Sequence, residues 1–233
     1  MSAPRLIKGI ELKNNKLCRI MSDDMKHFNY QYHEGENIDT SPFYPNGFCD
    51  KGGLYFTNEE IIFKYLGHGS KIADIHVDDD EDVYLEYDII DGVNVEYSYK
   101  AHKVYVTNIR TLNEYFDTLS CDKYIYAIKL NPDSIKYIRN QTDELCKLAL
   151  NKDGTTIRHI RDKRYEYLLL AVSKASNALE YIEEQTDEIC WIAIMQDTYA
   201  LQYVKKQTID ICKYAVNKNP SVEMFVKIPF SEI

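Results

Sequence analysis

Thr186-Asp187-Glu188-Ile189-Cys190-Trp191-Ile192-Ala193 is a stretch that the chain writes more than once. It returns 22 residues later as Thr208-Ile209-Asp210-Ile211-Cys212-Lys213-Tyr214-Ala215, and it stands 44 residues earlier as Thr142-Asp143-Glu144-Leu145-Cys146-Lys147-Leu148-Ala149. A 22-residue period requires two further copies. Ser120-Cys121-Asp122-Lys123-Tyr124-Ile125-Tyr126-Ala127 and Arg164-Tyr165-Glu166-Tyr167-Leu168-Leu169-Leu170-Ala171 occupy the places it demands. The alanine holds register throughout, at Ala127, Ala149, Ala171, Ala193 and Ala215.

Each unit has a second half. Ten residues past the alanine stands a ring, at Tyr137, His159, Tyr181, Tyr203 and Phe225, followed by Ile or Val. The first half starts with Ser or Thr in four copies, and acids follow it, which is the pattern of a capped helix N-terminus. Arg164 breaks that cap. A second start comes at Asn131-Pro132 and Asn219-Pro220, with Asp153 and Asp197 in the equivalent place. The unit therefore reads as helix, turn, helix. Helices of about nine residues, about 13 Å long, are marginal alone and must stack on their neighbours. The fixed small alanine suits close approach, and Thr111 with Glu114 forms a capping-box pattern that opens an incomplete leading half-repeat. Residues 108–233 are thus expected to form an α-solenoid of 22-residue helix-turn-helix repeats.

Residues 1–107 differ in kind. Short β-rich runs alternate there, among them Leu17 to Met21, Lys71 to Val77, Val83 to Ile89, Val93 to Tyr99 and Lys103 to Thr107. Thr57-Asn58-Glu59-Glu60 predicts the start of one helix, with Ile61 to Leu66 as its apolar body and Gly67 as its stop. The expected fold class is α+β: a small, mixed, β-rich N-terminal domain over 1–107 followed by the helical repeat domain over 108–233.

Composition narrows the function. The chain has 233 residues, 45% of them hydrophobic, and a formal charge of −9. Residues 121–233 carry 16 basic and 16 acidic side chains, so the acidic excess is N-terminal. Such a balance argues against nucleic acid as the partner. No apolar run approaches the length of a membrane span and the first residues lack a secretory pattern, so a soluble, intracellular protein is expected. The six cysteines form no Cys-x-x-Cys pair and the six histidines no metal-binding spacing, so neither metal nor cofactor is expected. Asp78-Asp79-Asp80-Glu81-Asp82 lacks the alternating ligands of a calcium loop and reads as a solvated turn. Arg158, Arg161, Lys163 and Arg164 read as a salt-bridged turn rather than a phosphate site.

A non-enzymatic protein-interaction module is the leading expectation, because stacked units expose broad recognition surface. The candidate contacts are the ring column Tyr137, His159, Tyr181 and Tyr203, together with Trp191. Two alternatives stay open. Gly53-Leu54-Tyr55-Phe56 followed by a segment carrying Tyr65 resembles the strand and helix lining the nicotinamide pocket of ADP-ribosyltransferases. That resemblance implies a site completed by His27 or His33 and by Glu86 or Glu96. The other alternative is a structural component of a virion.

A wider resemblance rests on Gly53-Leu54-Tyr55-Phe56-Thr57, Asp74-Ile75-His76-Val77 and Lys100-Ala101-His102-Lys103-Val104. These segments are similar to the N-terminal domain that mimivirus-type giant DNA viruses place before ankyrin repeats. The 22-residue units, with Gln185 to Cys190, resemble another repeat class of the same viruses. The units are not ankyrin repeats themselves, whose period is about 33 residues and whose Thr-Pro-Leu-His phrase is missing here. The resemblance implies a viral protein in the host cytoplasm or the virion, with a viral or host protein as partner.

Overall fold

A computed structural model of the protein describes residues 5–41, 52–90 and 93–229; the side chains of residues 87–90 and 93–97 are not described, and Cys49 lies outside the described residues. The chain divides into two compact units, Met1–Leu119 and Ser120–Ile233. The first is built on a β-sheet and the second on helices, which makes the protein mixed α+β.

The sheet unit contains β1 (Arg5–Lys8), β2 (Leu17–Met21), β3 (Lys26–His27), β4 (Tyr30–Gln31), β5 (Gly35–Ile38), β6 (Leu54–Asn58), β7 (Lys71–His76), β8 (Asp82–Ile90), β9 (Val93–Ala101) and β10 (Lys103–Thr111). Eight of these form one sheet in the order β1-β8-β9-β6-β2-β7-β10-β5, while β3 and β4 pair separately. Alternation along the strands sends Leu54, Phe56, Val83, Leu85, Tyr99 and Ala101 into one core with Val104 and Val106. The acidic stretch closes the turn between β7 and β8. Asp78 pairs with Lys103, Asp79 with Lys13 and Asp82 with Lys8, while Glu81 accepts from the backbone N–H groups of His102 and Lys103.

The helix expected from Thr57 to Leu66 is replaced by a strand and a 3-10 helix. Thr57 is buried and pairs with Cys18, and Asn58 with Leu17, so both are drawn into β6. Asn58 Oδ1 closes the turn that follows β6, accepting from the N–H groups of Glu60 and Ile61 at 3.0 and 3.2 Å, and the 3-10 helix itself has no side-chain cap. The 3-10 helix then runs over Ile62–His68. Phe63 on it is fully buried, with Tyr115 and Phe116 of α1 (Leu112–Asp117) at ring-centroid distances of 6.4 and 5.8 Å. The Thr111–Glu114 capping box forms, and α1 packs on β10 and β7 of the sheet unit.

The helical unit repeats one pattern. The helices α2 (Cys121–Leu130), α3 (Asp143–Lys152), α4 (Tyr165–Lys174), α5 (Asp187–Gln196) and α6 (Ile209–Lys218) each begin 22 residues after the one before. Ser120, Thr142, Thr186 and Thr208 cap four of them, and Arg164 makes no cap bond. Each α-helix is followed by a six-residue 3-10 helix, from Pro132–Tyr137 to Pro220–Phe225, rather than by a turn and a second α-helix. One residue both ends the first helix and caps the second, as Asn131, Asp153, Asp197 and Asn219 show, and the second element is a six-residue run with the tighter i→i+3 bonding. The five register alanines are fully buried, with exposures of 0%. At Gly154 a Cβ would lie 2.1 Å from the Ala171 carbonyl oxygen of the next unit, so only glycine permits the observed approach.

A glutamine just before the helix cap joins successive units. Gln185 Nε2 donates at 3.0 Å to the carbonyl of Leu179 in its own unit and at 3.0 Å to that of Tyr203 in the next. Its Oε1 accepts from the N–H of Lys205 at 2.8 Å. Gln141 makes the same three bonds to Ile135, His159 and Arg161, and Gln207 makes them to Leu201, Phe225 and Lys227. Lys163 holds this place in the unit between; its Nζ reaches the Tyr181 carbonyl at 3.3 Å but has no acceptor to offer the following N–H. The α4 unit is thus weakest in local chemistry, since Arg164 and Ala175 also lack capping bonds. A polar junction stands in their place, with Arg164 and the Tyr167 hydroxyl both on Asp143.

Candidate partner interface

The ring column sits at the C-terminal ends of the 3-10 helices, and Tyr137, His159, Tyr181 and Tyr203 are each half-buried there. Lys136 lies 4.6 Å from the Tyr137 ring centroid and the Arg158 guanidinium 5.5 Å from that of Tyr181. Arg158 binds both carboxylate oxygens of Asp133, at 2.8 and 2.7 Å, and its Nε donates to His159 Nε2 at 2.9 Å. His159 titrates below its ordinary range, because burial outweighs the attraction of Asp133. The basic cluster of Arg158, Arg161, Lys163 and Arg164 is occupied in holding units together: Arg161 reaches the Arg139 carbonyl, and Arg164 pairs with Asp143, Asp162 and Glu166.

Trp191 belongs to a different row. It lies on α5, half-buried, with Tyr214 of α6 at a ring-centroid distance of 5.4 Å. The structure therefore places the five sequence candidates on two kinds of element, four on 3-10 helices and Trp191 on an α-helix.

The α-helices lie side by side and parallel, as contacts between equivalent ends show. Tyr165 at the start of α4 bonds Thr186 and Glu188 at the start of α5, while Gln196 at the end of α5 reaches the Ser173 carbonyl at the end of α4. Parallel packing turns each helix position into a row. The second position is an exposed acid in every unit: Asp122, Glu144, Glu166, Glu188 and Asp210. The sixth is apolar or aromatic: Tyr126, Leu148, Leu170, Ile192 and Tyr214, of which Tyr126 is exposed and the others half-buried. At the tenth stand the exposed Lys152, Lys174 and Lys218, with Leu130 and Gln196 in the other two units. Positions two and six lie on one helix face, and the tenth closes its far end. The face thus carries an acidic edge, an apolar ridge and a basic edge. The charges also complement the helix dipoles, which accounts for their sign at each end. The acid-to-lysine spacing inside three of the units and the recurring Gln are visible in the sequence; that they form edges and clamps depends on the parallel packing.

In the sheet unit the residues of the ADP-ribosyltransferase resemblance partly converge. The His27 and Tyr55 ring centroids are 5.4 Å apart. The Tyr55 hydroxyl accepts from Lys100 Nζ at 2.8 Å, and that ammonium also lies 4.5 Å from the Tyr55 ring centroid. Lys100 is fully buried and Arg19 nearly so, its guanidinium bonded to the Tyr55 carbonyl. Glu86 is buried and accepts from Ser98 at 2.7 Å. Tyr65 packs on His68 at 5.6 Å, His33 is exposed, and the side chain of Glu96 lies outside the described residues.

Burial, aided by Arg19, His68 and Lys100, pushes His27 down to about 4. Between about pH 6.5 and pH 4 the unfolded chain gains a proton that the folded chain declines. Folding is therefore undiminished by this group above about pH 6.5, loses stability as pH falls, and levels off below about pH 4. Allowing for partial exposure of the ring, the loss between pH 7.5 and pH 5 is on the order of 1–2 kcal/mol. Urea titrations at both pH values should show a smaller drop for His27→Gln than for the parent; identical drops would refute the assignment.

Two curated proteins of Acanthamoeba polyphaga mimivirus are similar to parts of the chain. Ankyrin repeat protein R229 is 28% identical over 116 residues, which is 49% of this chain and 36% of its own length. Ankyrin repeat protein R896 is 42% identical over 60 residues, 25% of this chain and 18% of its own. The chain spans well under half the length of either relative. No family model matches, and no solved structure matches significantly. The partial likenesses support a giant-virus repeat protein.

Proposed function

We propose that the chain is a protein-interaction module of a giant virus, in which the helical unit is an α-solenoid of 22-residue repeats and binds a viral or host protein through its side-chain surface. The observation that carries this reading is the parallel set of α-helices, which presents one ridged face across five units. The names of the two mimivirus relatives agree with it, since repeat arrays of that kind recognise proteins through extended surfaces. The ring column Tyr137, His159, Tyr181 and Tyr203 is the second surface proposed for contact, and the infected-cell cytoplasm or the virion is the proposed location.

The test is affinity capture from infected-cell lysate, with mass spectrometry, using the parent, an α-face variant (Leu170→Asp with Ile192→Asp) and a ring-column variant (Tyr181→Ala with Tyr203→Ala). Circular dichroism checks that each variant is folded. A partner held by the parent and lost by one variant assigns the surface. Capture of nothing above background, or capture unaffected by either variant, overturns the reading. For the ADP-ribosyltransferase alternative, the close approach of His27 to Tyr55 is favourable, whereas the Lys100 ammonium occupies the Tyr55 hydroxyl. Calorimetric titration with NAD of the parent and of Tyr55→Ala separates the two: saturable heat lost in the variant supports a nucleotide site, and heat in neither removes it.

A further inference from the structure

The three rows on the α-helical face define the chemistry of what fits them. We propose that this face takes an amphipathic α-helix of the partner, laid across the five repeat helices, with an apolar stripe flanked by basic residues on one side and acidic residues on the other. The inference rests on the interaction reading above and specifies its partner.

The argument has three steps. First, the backbone groups of α-helices are bonded internally, so this face offers side chains only. An extended strand docked there would leave its own N–H and C=O groups without partners, whereas a helix satisfies them itself. Second, the ridge of Leu148, Leu170 and Ile192, with Trp191 beside it and aromatic rings at both ends, is apolar enough to bury a helix stripe, and Met195 next to it is 67% exposed. Third, the edges have opposite signs. Acids one per unit line one side, Glu166 among them being paired with Lys147 and Arg164, and Lys152, Lys174 and Lys218 line the other, with Leu130 and Gln196 in its two remaining places. A partner with two basic flanks meets repulsion from the lysine edge, and one with two acidic flanks meets it from the acidic edge. Only a mixed pair of flanks complements both. Helices pack at 8–10 Å, so five of them span about 32–40 Å between outer axes, which a partner helix of about 21–27 residues covers.

The test uses three synthetic helical peptides of 24 residues with the same leucine stripe: one with a Lys flank and a Glu flank, one with Lys on both flanks, one with Glu on both. Fluorescence anisotropy against the full chain at low salt should rank the mixed peptide about tenfold tighter than either control, with the gap closing at high salt. In the variant Lys152→Glu, Lys174→Glu, Lys218→Glu, checked for folding by circular dichroism, the Lys-flanked peptide should become the preferred one. Equal affinities for all three peptides, or a ranking unchanged in the variant, overturn the inference. Self-association of the chain that displaces every peptide alike overturns it in favour of a second copy on this face. If the ranking fails while lysate capture still depends on Leu170 and Ile192, the partner class is wrong and the interaction reading stands. If capture fails while the ranking holds, it is the interaction reading that falls.

Discussion

Replacing Gln185 with alanine should lower the unfolding free energy of the helical unit by about 2–4 kcal/mol. The substitution leaves the helix itself intact and removes a clamp between units: two donated bonds to the carbonyls of Leu179 and Tyr203 and one accepted from the Lys205 N–H. Each bond contributes about 1 kcal/mol, and backbone groups shielded between units cost more when left unpaired. The measurement is a urea titration followed by helical ellipticity, with amide exchange as a local check, because the Lys205 amide should exchange faster in the variant. The converse change is informative. Lys163→Gln supplies the clamp where Lys163 stands and should raise stability by about 1 kcal/mol, with a further gain when Ala175→Asp supplies a missing cap. A Gln185→Ala variant within about 0.5 kcal/mol of the parent would show that water replaces the clamp at no cost.

The second large effect is expected at Phe63, where Phe63→Ala should destabilise the sheet unit by about 3–5 kcal/mol. The ring is fully buried on the 3-10 helix Ile62–His68 and meets Tyr115 and Phe116 of α1. Its removal opens a cavity between two short elements, neither of which has enough internal bonds to hold its place alone. Phe63→Leu, which refills most of the volume, should cost about 1–2 kcal/mol. Denaturant unfolding followed by tyrosine fluorescence reads both variants. A loss below about 1 kcal/mol for the alanine variant would mean that α1 is held to the sheet by other contacts.

The two sites also mark where sequence reasoning reached and where it stopped. In the helical unit the local signals agree with one another: Thr caps, first-turn acids, the register alanines and the Asn or Asp between helices all recur at one spacing, so element positions are legible in the sequence. Two things there were less so. The second element of each unit is a 3-10 helix, and a single pattern of apolar residues suits both helix types. The ring column is legible at a single spacing, whereas the α-helical face combines rows whose members are far apart along the chain.

In the sheet unit local signals misled. Thr57-Asn58-Glu59-Glu60 has the form of a capping box, but pairing of Thr57 with Cys18 outweighs it, and a capping box cannot report a partner some 40 residues away. His27 and Tyr55 were candidates for one site, and their approach was decided by the fold, as was the burial of Lys100 against the Tyr55 hydroxyl.

The amino-acid sequence by itself determined the 22-residue unit, its caps, its buried alanines and the change of character between the two halves of the chain. These depend on neighbours a few residues apart, where spacing and side-chain chemistry suffice. Only the tertiary structure decided the eight-stranded sheet order, the glutamine clamps and the joining of separate acids, apolar residues and lysines into edges of one face, because each depends on which distant segments lie side by side.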